Sequence, residues 1–156
     1  MLGKTYDTQV CSIARSLELV GERWSLLIIR DALFARVTRF GDFQHNLGIA
    51  TNVLAARLDA FVNSGIMHRE GSADYVLTPK GQALATALIA LTEWGDEWAA
   101  PGEPPILYQH RSCGQPVRAR VVCDECGVID TAEAKVQIGP GMPAEYLAAR
   151  RGGQRA

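Results

Sequence analysis

The stretch HRSCGQPVRARVVCDECG, residues 110–127, holds three of the chain's four cysteines and one of its three histidines. Two residues separate His110 from Cys113, nine follow, and the two-residue gap recurs between Cys123 and Cys126. That gap lets both side chains of a tight turn face one ion, as in a zinc knuckle. A glycine follows each pair, Gly114 and Gly127, where a knuckle needs a residue free to take positive φ. PVRARVV alternates as a strand does, and VIDTAEAKVQI is expected to pair with it. Few apolar residues surround the segment, so a bound ion would supply its folding energy. A Cys3His set leaves no open position. The expected cofactor is therefore one structural Zn2+ per chain, on His110, Cys113, Cys123 and Cys126. The same spacing also suits two reduced or disulfide-linked turns, or a sheet that folds without metal.

The fourth cysteine, Cys11, stands at the start of a predicted helix, where the helix dipole and Arg15 one turn later favour a thiolate. It is a candidate redox site, and the alternative is a small buried residue at a subunit interface. His45 and His68 fall in the helix-turn-helix region, away from these thiols, and no Ser-His-Asp spacing is present. No catalytic residue is assigned, and the chain is not expected to be an enzyme.

Among the supporting elements, Ser12 is expected to cap a first helix bearing Ile13, Leu17 and Val20, with Gly21 at its end. RWSLLIIRDALF is apolar around most of its circumference, which predicts a central, buried helix. Thr38 is expected to cap RFGDFQHNL, Gly48 to turn the chain, and TNVLAARLDAFVNS to form the next helix, stopped by Gly65. On that helix Leu54, Leu58 and Phe61 face inward. Asn52, Ala55, Ala56, Asp59 and Asn63 lie opposite, with Arg57 on the flank. IMHRE and DYVLT, separated by GSA, read as a hairpin. Helix, turn, helix and hairpin make a winged helix-turn-helix, which sets its second helix in a major groove.

Thr78 and Pro79 then start a long helix to about Ala99, with Pro at the first helical position. Leu84, Leu88, Leu91, Trp94 or Gly95, and Trp98 form a seam near the coiled-coil period. Ala83, Ala87 and Ile89 widen it, so this reads as a dimerisation helix, the alternative being a monomer's core helix. A two-fold dimer would match a palindromic operator in double-stranded DNA.

Charge and composition fit that partner without requiring it. The net charge is −1, but between Arg23 and Arg69 six arginines face three aspartates, a local basic bias. No run approaches the roughly 18 apolar residues of a membrane span, so no membrane partner is expected. The start lacks the apolar stretch of a signal peptide, which predicts a cytoplasmic protein with reduced thiols.

Several of these stretches together resemble the HxlR-type regulators, winged-helix proteins near the MarR group. They are Cys11 with its helix, GERWSLLIIRDAL, RFGDF, LGIATNVLAARLDAFVNSGIM, and YVLTPKGQAL followed by Trp94. The resemblance covers about residues 9–98. It implies a homodimeric transcription factor and brings Arg39, Thr51, Asn52 and Arg57 to the DNA. Arg69, on the first strand of the wing, is counted with them. Some relatives resemble sensors of oxidants or electrophiles through a cysteine near position 11, which implies a possible redox role or a small-molecule effector. The chain departs from the pattern at Ala50, where a serine cap is usual, at Asp59, where a basic residue is commoner, and in its short wing. DNA binding is therefore expected to be weak or effector-dependent.

The fold expected is mainly α: a winged helix-turn-helix domain with a dimerisation helix at residues 1–100, a small zinc-ribbon-like β extension at 101–138, and a tail at 139–156 with a net charge of plus two. The function expected is a dimeric DNA-binding transcriptional regulator. The alternatives are a small cysteine-based thiol or zinc protein, and a protein-interaction module without specific DNA binding.

Overall fold

The computed structural model describes residues 5–100 and 102–146, so the end of the tail (147–156) lies outside the described residues. Two compact units divide the chain: residues 19–120, and residues up to 18 together with those from 121 onward. The elements run α1 (Ser12–Val20), α2 (Ser25–Phe34), α3 (Phe40–Leu47), α4 (Thr51–Asn63), β1 (Met67–Glu70), β2 (Asp74–Leu77), α5 (Pro79–Gln82), α6 (Ala85–Trp98), β3 (Val122–Cys123) and β4 (Gly127–Val128). The mainly helical winged helix-turn-helix predicted from the sequence is the fold observed.

The larger unit is built around α2, whose Ile28 and Ile29 are fully buried, as its apolar circumference requires. Phe43 of α3, Leu54, Leu58 and Phe61 of α4, and Ile66, Met67 and Leu77 of the wing close over them. Gly48 and Gly65 take φ of 60° and 71°, so each helix-ending glycine sits where a side chain would be strained. β1 and β2 pair antiparallel, with Met67 opposite Leu77 and Glu70 opposite Asp74. Thr78 caps α5, its hydroxyl accepting from the Gly81 N–H while Pro79 begins the helix.

Four local expectations are corrected. Thr38 does not cap α3; Arg39 holds that position without a side-chain bond, and the Thr38 hydroxyl donates instead to Asp74 Oδ1 at 2.6 Å. Cys11, rather than Ser12, caps α1, its sulfur accepting from the Ala14 N–H at 3.3 Å. The single helix expected from Pro79 to Ala99 is broken at Ala83 and Leu84. There the Leu84 N–H reaches back only three residues, to Gly81 O, a tighter 3-10 step between α5 and α6. The long pairing of PVRARVV with VIDTAEAKVQI shrinks to β3 against β4, with one further bond from Ile129 N–H to Val121 O. The cause is a capping box. Asp130 accepts from Ala132 N–H, Glu133 accepts from Asp130 N–H, and the chain turns into a 3-10 helix at Thr131–Glu133.

Candidate functional site

The α4 helix carries the sequence's strongest functional pattern. Its inner face, Leu54, Leu58 and Phe61, is 1% exposed or less. Thr51, Asn52, Ala56 and Asp59 are exposed on the other side. Ala50 enters the helix in extended conformation and offers no side-chain cap. The first turn of α4 is tied down from α3 instead, where Gln44 Nε2 donates to Thr51 Oγ1 at 2.7 Å. That bond joins the two helices of the helix-turn-helix and orients Thr51, while Asn52 remains free to meet a ligand.

The arginines are arranged less uniformly than their spacing suggests. Arg39 is 71% exposed at the start of α3, with Nε 3.8 Å from Asp74 Oδ1. Arg57 is only 19% exposed, and its Nη1 lies 3.9 Å from Glu22 Oε1, so it sits on the flank of α4 and not on its outer face. Arg69 lies over the Tyr75 ring at 4.8 Å and reaches Asp59 Oδ1 at 3.4 Å. Asp59, the acidic departure on the outer face, is thus paired with an arginine of the wing. Exposed pairs of this kind contribute about 0–1 kcal/mol, so Arg39 and Arg69 can exchange a carboxylate for a phosphate at little cost. Asp74 and Glu22, which hold two of these arginines, were not singled out in the sequence. They lie 35 residues from their partners (Arg39 to Asp74, and Glu22 to Arg57), and no local pattern signals such a pairing.

The C-terminal pairs have knuckle form within their own units. In the larger unit His110 Nδ1 is 3.1 Å from Cys113 Sγ, the Gly114 N–H donates to His110 O, and Gly114 has φ of 69°. In the smaller unit the Cys126 N–H, then the Glu125 N–H, and then the Cys126 side chain hydrogen-bond to Cys123, which holds its thiol below the ordinary thiol range. Gly127 follows with φ of 78°. All four cysteines are free thiols. Among the described residues no group of three or more His, Cys, Asp or Glu is assembled as a metal site. Cys11 is exposed, but the Arg15 guanidinium is directed to Glu18, Tyr6 O and Gln9 O.

The order of elements, the buried face of α4 and its tie to α3 define a helix-turn-helix. The profile of the HxlR-like helix-turn-helix family matches residues 19–103. The chain belongs to that family. An HTH-type transcriptional regulator of Mycobacterium tuberculosis is 41% identical over 142 residues, covering 86% of this chain and 89% of that protein. Among solved structures, the HxlR fold here matches the candidate transcription factor PA1607 with a TM-score of 0.71 and 40% identity, over 81% of this chain and 94% of that one. It also matches the quinone-bound form of the regulator YodB of Bacillus subtilis, with a TM-score of 0.51 and 28% identity, over 57% of this chain and all of that one. Among the described residues no helix is long and apolar enough to cross a membrane.

Proposed function

We propose that this HxlR-type regulator is a homodimer that binds a palindromic operator by setting α4 into the major groove. The chain is a DNA-binding regulator and not an enzyme. The observation that carries the specific reading is the outer face of α4, where Thr51 and Asn52 stand exposed beside the small Ala56 while the opposite face is sealed in the core. An asparagine side chain can bond bidentately to an adenine edge, and a small neighbour allows close approach. Arg39 and Arg69 supply phosphate contacts from either side, and Arg57 supports α4 from its flank. The test is Asn52→Ala, which should weaken operator binding by about 1–3 kcal/mol while unrelated DNA is bound as before. Equal affinity of variant and wild type for the operator would refute the placement of α4.

Dimerisation is supported by α6. Leu88 joins the core, but Leu91, Trp94 and Trp98 on the same seam are 49%, 58% and 70% exposed. Ile13 and Leu17 of α1 are exposed as well. Large apolar side chains left open along one helix favour a second copy as their cover. Responsiveness to an effector is supported by the exposed thiol of Cys11 at a helix start and by the likeness to the quinone-bound regulator. An electrophile adding to that sulfur would disturb the cap at the start of α1.

One structural Zn2+ per chain, on His110, Cys113, Cys123 and Cys126, is a further part of the reading. Its support is the repeated two-residue gap, the glycine after each pair, and the backbone N–H groups that hydrogen-bond to Cys123 as they would to a coordinating thiolate. The metal would contribute folding energy, and the full ligand set gives it no catalytic position.

A further inference from the structure

Arg36 stands alone among the described non-glycine residues in having positive φ, at 58°. It follows α2, where the Ala35 and Val37 N–H groups both donate to Asp31 O, the wrapping of a helix end that normally favours glycine. An arginine there strains the backbone without an internal return. Among the described residues its side chain has no hydrogen-bond or ion-pair partner. Strained residues of this kind cluster at ligand clamps and switch regions.

The surroundings indicate what that is. Arg36 lines an open cavity of about 340 Å³ within the larger unit, between the end of α2, β2 and α5. Thr38 and Gln82 add polar groups, while Leu33, Val37 and Tyr75 give it apolar walls. The Gln82 amide nitrogen donates to Leu77 O, which leaves its carbonyl oxygen unengaged. Five guanidinium N–H groups without an acceptor, beside a concavity of mixed polar and apolar lining at the small end of ligand-pocket sizes, suit a compact anion with a small hydrophobic part. The cavity also adjoins the link between the 35–39 loop and the wing, where the Tyr75 N–H donates to Thr38 O at 2.8 Å and Thr38 bonds Asp74. A molecule seated there would bear on the wing.

We propose that this cavity is a non-covalent effector site, in addition to the Cys11 thiol, and that it takes a small organic carboxylate whose carboxylate pairs with Arg36 and whose apolar part lies against Leu33, Val37 and Tyr75. The site adds a second effector class to the regulator proposed above and rests on that reading, but its test uses the free protein and needs no operator. Benzoate and octanoate are the probes, followed by NMR of the full chain, with benzyl alcohol as the uncharged control. Saturable binding of at least one carboxylate is expected, with shifts at Val37, Tyr75 and Gln82. Benzyl alcohol should bind about tenfold more weakly, and Arg36→Gly, which suits the backbone, should lose the carboxylate by about the same factor. No saturable binding of either carboxylate at millimolar concentration would overturn the proposal, as would binding unchanged in Arg36→Gly. The rival role, a DNA phosphate contact, has its own readout. If Arg36→Gly weakens binding to an unrelated duplex and flattens its salt dependence without any carboxylate present, Arg36 serves DNA and the proposal fails.

Discussion

Gly81 lies where the wing meets α5, and replacing it with alanine is a sharp test of how tightly that junction is packed. A Cβ at this position would sit 2.4 Å from Ile66 O and 2.7 Å from Leu77 Cδ2, whereas ordinary contact begins near 3.4 Å. The oxygen cannot swing aside, because it is backbone and accepts from the Thr78 N–H at 3.0 Å and the Thr78 hydroxyl at 3.1 Å. Relief requires about one ångström of movement, which forces α5 off the hairpin and breaks at least one of those bonds. Overpacking of this kind costs about 1–3 kcal/mol. The lost hydrogen bond adds about 1 kcal/mol, and the better helix propensity of alanine returns about 1 kcal/mol. The net expectation is a loss of about 2 kcal/mol, read by urea unfolding at fixed protein concentration, since a dimer's stability depends on it. Gly41→Ala is the control. It lies in α3 with nothing within 4 Å of its added Cβ, so it should leave stability unchanged or raise it by up to about 1 kcal/mol. If Gly81→Ala unfolds within about 0.5 kcal/mol of wild type, the close approach of Gly81 to Ile66 is wrong, and so is the explanation of the cap at Thr78.

Leu91→Glu with Trp98→Glu should give folded monomers by sedimentation, while Leu88→Glu should unfold the chain because Leu88 is buried; a dimer surviving the double change would remove α6 from the interface. Glu18 accepts from the Tyr6 N–H at 2.7 Å, and that bond, ahead of its pairing with Arg15, holds its carboxyl below the ordinary glutamate range. Its contribution is therefore complete above the usual glutamate pKa and is lost as pH falls through the depressed folded value. Hydrogen exchange at the Tyr6 amide should accelerate in Glu18→Gln and, in wild type, on acidification below that usual range; protection unchanged in both would discard the contact. Elemental analysis of protein purified without chelator should find zinc near one per chain, lost in Cys123→Ser, and metal-free, freshly reduced wild type with residues 110–127 still folded would contradict the metal assignment.

Periodicity made the central helices legible. Leu54, Leu58 and Phe61 recur at helical spacing and are buried as one face, and Gly48, Gly65, Gly114 and Gly127 adopt the positive φ that their turns require. The Thr78-Pro79 start was equally readable, because a cap and its helix are neighbours in the chain. What escaped depends on partners distant in sequence. Thr38 looks like a cap until Asp74, 36 residues later, takes its hydroxyl. Arg57 reads on the flank of α4, but its partner there, Glu22, lies 35 residues earlier and gives no local signal. The break between α5 and α6, where the Leu84 N–H reaches back to Gly81 O, is concealed by the even apolar seam from Leu84 to Trp98. In the extension, alternation suggested a long hairpin, but the polar capping box at Asp130 and Glu133 bends the chain before pairing can extend. Arg36 gave no signal at all, since an αL backbone is visible only once the end of α2 is built.

The most direct test of the central claim is fluorescence anisotropy of labelled DNA from upstream of the gene encoding this chain, competed with unlabelled copies of itself and with unrelated duplex of equal length. If α4 reads sequence, the upstream duplex should compete at least about 10³-fold more effectively than the unrelated one at physiological salt, and Asn52→Ala should lower that ratio by about ten- to a hundredfold. Equal competition by both duplexes, from a folded dimeric protein with and without oxidant or carboxylate, would contradict it.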